Sequence, residues 1–304
     1  MTRPAPAPDD PTTAAVVARL RAAGCVFAED EAALLLEAAG SLAPGQRGTF
    51  RPGRQFELPT GTGTAAPIDR RVLDELVERR VAGEPLEHVL GWVAFAGRRW
   101  SVGPGVFVPR RRTELMVAAA LTLPAPGTVV DLCCGCGAVG GAVLLGLHAA
   151  GAAPVLHASD VEPAAVVHAR RNLEPLGAVV HEGDLLAAVP AILRGRVDLL
   201  LCNAPYVPTA AIATMPPEAR DHEPAVALDG GADGLDVLRR VVAAAPAWLA
   251  PGGALLFEVG TDQVAGATTL VESHGLSPAV VTDDDPDADD ATGGTVLVAT
   301  RPAP

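Results

Sequence analysis

The segment Asn203-Ala204-Pro205-Tyr206 holds the only tyrosine of the chain and one of its two asparagines. These residue types suit transfer of a methyl group to a planar amide or aryl NH₂ nitrogen, whose delocalised lone pair makes it a weak nucleophile. Asn203 Oδ1 and the Ala204 carbonyl could accept both N–H bonds, and these bonds would strengthen as the nitrogen becomes positive in the transition state. Pro205 would stiffen the turn, and Tyr206 would lie against the flat substrate group. An ordinary turn is the alternative interpretation, because Asn and Pro are common turn residues.

A glycine-rich segment upstream is typical of a nucleotide-binding loop. Gly135, Gly137 and Gly140 have the spacing G-x-G-x-x-G directly after a predicted strand at 128–132, where glycines let the backbone approach a ligand. NAD and S-adenosylmethionine sites both use this layout. Asp131 favours S-adenosylmethionine, because a carboxylate before the first glycine suits a ligand with an ammonium and a sulfonium group.

Two more aspartates follow the next two predicted strands. Asp160 comes directly after the strand 155–159, where a carboxylate can bind both ribose hydroxyls. Asp184 follows the strand 178–181 and is placed to meet the adenine edge. Three carboxylates after three successive strands predict an S-adenosylmethionine site, although each aspartate could instead cap a helix.

The cysteines predict a compartment and no metal centre. The five cysteines form no even framework of spacings, which predicts a reducing, cytoplasmic location. Cys133, Cys134 and Cys136 lack the nearby second Cys or His pair that zinc sites typically have. We interpret them as small residues of a tight loop and expect no metal.

Composition and charge restrict the class of protein. The chain has 304 residues, of which 49% are hydrophobic and 19% charged, as in folded soluble proteins of about two domains. A net charge of -13 argues against broad phosphate neutralisation, so a nucleic acid is not expected as the direct substrate. Residues 133–159 carry no charge, but glycines and Pro154 interrupt them, so no membrane span is expected.

The hydrophobic pattern predicts an α/β protein with a doubly wound, mostly parallel seven-stranded sheet, preceded by a small helical domain and a β-hairpin. Strand and helix patterns alternate from residue 128 onward, which gives helices on both faces of a parallel sheet. The last two strands have no helix between them and predict an antiparallel edge. The predicted helices are 13–24, 29–40, 69–81, one from 138, one from 163, 235–248 and 262–274, and the remaining strands are 92–95, 100–102, 197–202, 254–259, 278–282 and 295–299.

A run of six aspartates between Asp283 and Asp290 separates the two final strands. A like-charge run of this kind predicts a solvated loop. A calcium site is the alternative, but the run lacks the glycine and the terminal glutamate of an EF-hand loop.

With these motifs, the chain resembles the protein-(glutamine-N5) methyltransferases, which methylate the glutamine of the Gly-Gly-Gln motif in peptide chain release factors. The matching motifs run over most of the chain. They are Gly83-Glu84-Pro85-Leu86, Gly91, Phe95, Gly97, Val102, Val108-Pro109-Arg110, Thr113-Glu114, the glycine loop, Asn203-Ala204-Pro205-Tyr206, Glu223-Pro224, Ala227-Leu228, Gly230-Gly231, Asp233-Gly234-Leu235, Pro251-Gly252-Gly253, Glu258, Gly260 and Gln263.

The resemblance implies a helical substrate-recognition domain at 1–90, a hairpin connector at 91–110 and a class I S-adenosylmethionine domain at 111–304. It implies that Asp160 binds the ribose, that Asp184 binds the adenine end, and that Asn203 binds the target glutamine and the methionine side of the cofactor. The expected cofactor-binding residues are Asp131, Cys133, Gly135, Gly137, Asp160, Val161, Asp184, Leu185 and Asn203. The expected substrate-binding residues are Asn203, Pro205, Tyr206, Arg110, Thr113 and Glu114, and the expected catalytic residues are Asn203, Ala204, Pro205 and Tyr206.

Some positions depart from the family pattern. Ala204 replaces the first proline of Asn-Pro-Pro-Tyr, and Cys133 and Cys134 stand where Gly and Thr are usual. Arg111 and Arg112 replace the second proline and the first glutamate of Pro-Arg-Pro-Glu-Thr-Glu. These departures indicate a divergent paralogue that keeps the reaction type.

We therefore expect an S-adenosylmethionine-dependent methyltransferase that acts on the side-chain amide of a glutamine in a protein, with a release factor as the candidate substrate. The residues leave two alternatives open. One is methylation of another planar nitrogen, in a small molecule or a nucleic acid. The other is a weakly active paralogue that binds a partner protein.

Overall fold

The computed structural model describes residues 11–41, 68–283 and 294–303, and the chain forms two compact units, 1–91 and 92–304. The acidic run after Asp283 lies outside the described residues. No helix of the described ranges is long and apolar enough to cross a bilayer.

The first unit is helical, as the apolar periodicity predicts. Its helices are α1 (Pro11–Ala22), α2 (Ala28–Ser41), α3 (Arg70–Val81) and α4 (Leu86–Leu90). They bury a small apolar core that includes Leu20, Leu35 and Val77. Asp69 caps α3, since its Oδ1 accepts hydrogen bonds from the backbone N–H groups of Arg71 (3.0 Å) and Val72 (3.4 Å).

The second unit begins with the antiparallel hairpin of β1 (Trp92–Phe95) and β2 (Arg98–Ser101). The Trp100 ring is buried and its indole Nε1 donates to the Phe95 carbonyl at 3.0 Å. Asn172 ties the hairpin to the glycine loop, because its Nδ2 donates to the carbonyls of Ser101 (2.9 Å) and Cys136 (2.8 Å). The hairpin is therefore part of the larger unit and shares its core.

The sheet of this unit has seven strands in the order β5-β4-β3-β6-β7-β9-β8. The five strands β3 to β7 are parallel to one another, whereas β9 runs antiparallel to both β7 and β8. This confirms the doubly wound sheet and its antiparallel edge. The strands are β3 (Thr128–Leu132), β4 (Val155–Asp160), β5 (Val179–Glu182), β6 (Val197–Cys202), β7 (Leu249–Glu258), β8 (Ser277–Thr282) and β9 (Thr295–Thr300).

Helices cover both faces of the sheet. Successive side chains of a strand point to opposite faces, so Leu199 and Leu201 of β6 pack in one core while Leu200 packs in the other. The first core also includes residues of the hairpin and of the helix at 114–122. The sequence analysis did not predict this helix. The helices are α5 (Glu114–Thr122), α6 (Ala138–Ala149), α7 (Pro163–Leu173), α8 (Pro217–His222), α9 (Asp236–Trp248) and α10 (Val264–Ser273).

The close packing of Trp100 on α6 gives a stability prediction. A Cβ added at Gly141 would lie 2.4 Å from Trp100 Cη2 and 2.9 Å from Leu173 Cδ2, so Gly141→Ala should lower the free energy of unfolding by about 1–3 kcal/mol. Urea denaturation of the full chain measures this change.

The matched control is Gly266→Ala in the exposed part of α10. Its Cβ would meet Leu235 Cδ1 at 3.5 Å, an ordinary contact, and alanine is the better helix former by about 0.5–1 kcal/mol. We expect this variant to be more stable than the parent. Equal destabilisation of the two variants would contradict the assigned packing.

Candidate active site

A cavity of about 490 Å³ opens where the parallel strands end. Its walls come from the segments that follow β3, β4, β5 and β6, together with residues 105–112 and 224–228. The strand order reverses between β3 and β6, and open α/β sheets bind ligands at such a switch point. The volume lies in the range of small-molecule and cofactor sites.

The glycine loop forms the first wall of this cavity. Gly135 has φ +55° and its N–H donates to Asp160 Oδ2 at 2.8 Å, while the N–H of Gly140 donates to Asp131 Oδ2 at 3.0 Å. Gly140 is required by close approach, because a Cβ there would lie 2.6 Å from Asp131 Oδ2. Cys133 also lines the cavity and has φ +51°, a conformation that non-glycine residues rarely adopt.

Carboxylates give this part of the cavity its charge. Asp131 is buried, and burial raises the pKa of its carboxyl to about 7 against the lowering effect of the Gly140 hydrogen bond. Burial also raises the pKa of Asp160, whose Oδ1 accepts a hydrogen bond from the Glu162 N–H at 2.9 Å. A cationic ligand would favour the ionised form of both groups, so these residues fit S-adenosylmethionine.

The segment after β6 forms the second wall. Asn203, Ala204, Pro205 and Tyr206 all line the cavity. Within the described part of the chain, neither the Asn203 side-chain amide nor the Ala204 carbonyl has a hydrogen-bond partner. Two acceptors are therefore available where the sequence predicts them.

Tyr206 is held at both ends. Its carbonyl accepts a hydrogen bond from Gln263 Nε2 at 2.8 Å, and its hydroxyl donates to Glu258 Oε1 at 2.7 Å. Burial raises the pKa of the Tyr206 hydroxyl above its ordinary value. The phenol is therefore protonated at neutral pH and cannot serve as a general base there.

Glu258 joins three chain segments behind this wall. The carboxylate is buried at the end of β7 and accepts hydrogen bonds from Arg112 Nε at 3.0 Å and from Thr113 Oγ1 at 2.7 Å. Arg112 Nη2 donates in turn to the Tyr206 hydroxyl at 2.5 Å. The Arg112 guanidinium, Tyr206 and Glu258 form a closed triangle of hydrogen bonds.

Arg110 has a comparable anchor. Its Nη2 donates to Glu223 Oε1 and Oε2, at 2.7 Å each, and the guanidinium lies over the Phe107 ring at 4.9 Å. Glu223 Oε1 also accepts a hydrogen bond from the Val108 N–H at 3.1 Å. The predicted substrate residue Arg110 is thus fixed at the cavity wall.

Three of the predicted site residues do not line the cavity. Gly137, with φ +81°, packs against Leu173, and Thr113 is buried against Glu258. Glu114 Oε1 accepts a hydrogen bond from the Ala96 N–H of the hairpin at 2.9 Å. The others do line it, namely Asp131, Cys133, Gly135, Asp160, Val161, Asp184, Leu185, Asn203, Ala204, Pro205, Tyr206 and Arg110.

Sequence reasoning assigned no site role to several residues that shape the cavity. Arg240 Nη2 donates to Asp184 Oδ2 at 2.5 Å, and Met215 and Val226 add apolar surface. None of these three residues belongs to a motif that the sequence analysis identified. Glu258 could have been found, because a carboxylate ending a buried strand repeats the pattern of Asp131.

Cys134 and Cys136 of the loop are buried thiols. Burial raises the pKa of Cys136 to about 12 and also raises the pKa of Cys134. All five cysteines of the chain are free, and the described residues contain no group of three or more His, Cys, Asp or Glu side chains that could hold a metal.

The doubly wound sheet, with its glycine loop and its carboxylates at the switch point, defines a class I S-adenosylmethionine-dependent methyltransferase. Residues 103–216 match the Methyltransferase small domain family. The chain is 37% identical over 224 residues to the release factor glutamine methyltransferase of Geobacter sulfurreducens. The matched residues cover 73% of this chain and 76% of the relative. The chain belongs to the release factor glutamine methyltransferase family and uses S-adenosylmethionine.

Two other relatives show the range of that similarity. The release factor glutamine methyltransferase of Cereibacter sphaeroides is 36% identical over 276 residues, 89% of this chain and 92% of the relative. The 4-amino-L-phenylalanine/4-methylamino-L-phenylalanine methyltransferase of Streptomyces pristinaespiralis is 39% identical over 222 residues, 70% of this chain and 74% of the relative.

The raised pKa of Asp131 predicts a pH dependence of cofactor binding. Because a cationic cofactor prefers the ionised carboxylate, binding below pH 7 has to displace a proton from Asp131. We expect the Kd for S-adenosylmethionine to rise as the pH falls below about 7, by up to about tenfold per pH unit. Calorimetric titration between pH 5.5 and 8.5 measures this slope.

Asp131→Asn removes the titrating group. It should weaken binding at pH 8 by about 10- to 100-fold, since a charge-assisted contact is lost, and it should flatten the pH profile. Asp262→Asn, at an exposed carboxylate outside the cavity, should keep the profile of the parent. A flat profile in the parent would refute the role of Asp131.

Proposed function

We propose that this protein transfers a methyl group to the side-chain amide nitrogen, N5, of a glutamine in a protein, with a peptide chain release factor as the substrate. The observation that carries the proposal is a pair of acceptors at the wall of the cavity, Asn203 Oδ1 and the Ala204 carbonyl, which have no hydrogen-bond partner among the described residues. The names of relatives that are 35–41% identical support the glutamine acceptor and the release factor.

S-adenosylmethionine supplies an electrophilic methyl group on a sulfonium. Asn203 Oδ1 and the Ala204 carbonyl accept the two N–H bonds of the glutamine amide and orient its nitrogen. As the nitrogen forms its new bond and becomes positive, both hydrogen bonds gain strength, so they stabilise the transition state more than the ground state. Removing one such acceptor is expected to cost about 10²- to 10³-fold in kcat.

The site needs no strong general base. A methylated amide that still carries its extra proton is strongly acidic and loses it readily. Tyr206 lines the wall, and its aromatic ring is proposed to pack against the flat acceptor group. Asp131, Gly135, Asp160, Val161, Asp184 and Leu185 are the proposed cofactor contacts, with Cys133 beside them and Gly137 shaping the loop.

An aryl amine is a second candidate acceptor. The relative from Streptomyces pristinaespiralis is named for methylation of 4-amino-L-phenylalanine, and an aryl NH₂ has the same two N–H bonds and the same delocalised lone pair as an amide. Asn203 and Ala204 would accept these bonds in the same way. The shared chemistry explains how one site architecture serves both acceptors.

The remaining assignments belong to this proposal. Residues 1–90 are proposed to help hold the protein substrate, and residues 111–304 to carry out the methyl transfer. Residues 91–110 are proposed to connect these two domains. Arg110, Thr113 and Glu114 are proposed to shape the substrate side. The five free cysteines support a cytoplasmic location.

The proposal predicts the behaviour of Asn203→Ala. With release factor and labelled cofactor, kcat should fall by about 10²- to 10³-fold because one acceptor is missing. The Kd for S-adenosylmethionine and the unfolding midpoint should change far less. Mass spectrometry of the product locates the methyl group on glutamine.

A comparison of proteomes with and without the gene tests the acceptor itself. We expect one methyl on a glutamine only where the protein is present. Unchanged activity of Asn203→Ala would refute the role of that residue, and an unchanged glutamine methylome would refute the protein acceptor.

A further inference from the structure

Two arginines line the acceptor part of the cavity, whereas the carboxylates that hold them do not. Arg110 and Arg112 are cavity residues with side chains that are 33% and 29% exposed, but their partners Glu223 and Glu258 are only 1% and 2% exposed. Each guanidinium is thus fixed from behind by a buried anion. Salt bridges of this kind hold the cation in place and leave its outer edge accessible.

The guanidinium groups keep hydrogen-bond donors in reserve. A guanidinium has five N–H donors in a rigid fork. Arg112 uses Nε for Glu258 and Nη2 for Tyr206, and Arg110 uses Nη2 alone for Glu223. Among the residues that the structure describes, Nη1 of both arginines and Nε of Arg110 have no acceptor.

The other charges of the cavity are at its cofactor side. The carboxylates that line it follow β3, β4 and β5, and Arg240 is paired with Asp184 there. Around Arg110 and Arg112 the lining is apolar or aromatic, with Phe107, Met215 and Val226. An acceptor bound beside Tyr206 therefore meets two positively charged side chains, Arg110 and Arg112.

We infer that the acceptor carries a carboxylate in addition to the nitrogen that is methylated, and that Arg112, with Arg110 beside it, binds this carboxylate and determines specificity. The inference rests on the proposed function, since it uses the same acceptor site. The carboxylate has two sources of equal chemistry: an acidic side chain next to the glutamine of a protein, or the α-carboxylate of an amino acid that bears an aryl amine.

The test compares acceptors that differ only in that charge, with the full-length protein and S-adenosylmethionine. One arm uses a peptide that contains Gly-Gly-Gln followed by Glu, against the same peptide with Gln in place of Glu. The second arm uses 4-aminophenylalanine against its carboxamide. In at least one arm we expect kcat/KM to be about tenfold higher for the carboxylate, because a charge-assisted hydrogen bond discriminates by that factor or more.

Arg112→Gln should reduce this preference to about twofold or less and should leave the Kd for S-adenosylmethionine unchanged. Arg111→Gln is the matched control, since it removes the same charge from an exposed neighbour that does not line the cavity. This control should keep the full preference. Calorimetric titration of the protein loaded with S-adenosylhomocysteine provides the same comparison for binding alone.

The outcomes separate the inference from the proposed function. If the neutral glutamine peptide reacts as well as the acidic one, and the carboxamide as well as the amino acid, the inference fails while the methyl transfer stands. If only the aryl amine reacts and depends on its carboxylate, the inference stands and the glutamine acceptor fails. A preference that survives Arg112→Gln, or no binding of either carboxylate acceptor to the loaded protein, overturns the inference.

Discussion

The buried carboxylate of Glu258 is the interaction on which the acceptor side of the site depends. A buried charge is costly unless it is paired and hydrogen-bonded, and Glu258 satisfies this requirement with donors from Arg112, Thr113 and Tyr206. The donors come from two segments about ninety residues apart in the chain. Loss of Arg112 would leave the charge uncompensated, and loss of either hydroxyl would leave the carboxylate short of a hydrogen bond. The position of the Tyr206 ring is therefore tied to the carboxylate at the strand end.

On the cofactor side, the buried carboxylate has fewer hydrogen-bond donors. Asp131 is also buried, yet within the described part of the chain it accepts a hydrogen bond only from the Gly140 N–H, and the pKa of its carboxyl rises to about 7. A group left short of partners in the free protein is suited to a ligand that brings positive charge. The same edge of the sheet thus carries two kinds of buried carboxylate. Glu258 has its hydrogen-bond donors within the protein, whereas Asp131 is suited to gain a positive partner from its ligand.

Much of this arrangement could be predicted from sequence, because strand alternation and the carboxylates after β3, β4 and β5 are local patterns. The helix α5 could not, since its Ala-rich segment buries Met116, Val117, Ala119 and Ala120 and shows no single apolar stripe. Thr113 and Glu114 are expected at the cavity mouth, but their side chains bond to Glu258 and to the hairpin. Such contacts depend on which segments become neighbours in the folded protein. The short-range periodicity of apolar residues in the sequence does not indicate which segments become neighbours.

The glycine at position 141 has a consequence for how the second unit unfolds. The indole of Trp100 occupies the space that a side chain on α6 would take, and Asn172 joins the hairpin to the carbonyl of Cys136 in the glycine loop. Detaching the hairpin would therefore open a void against the very helix that begins at the cofactor loop. Although the hairpin precedes the sheet in the chain, we therefore expect its amides and those of the loop to become exposed to hydrogen exchange together.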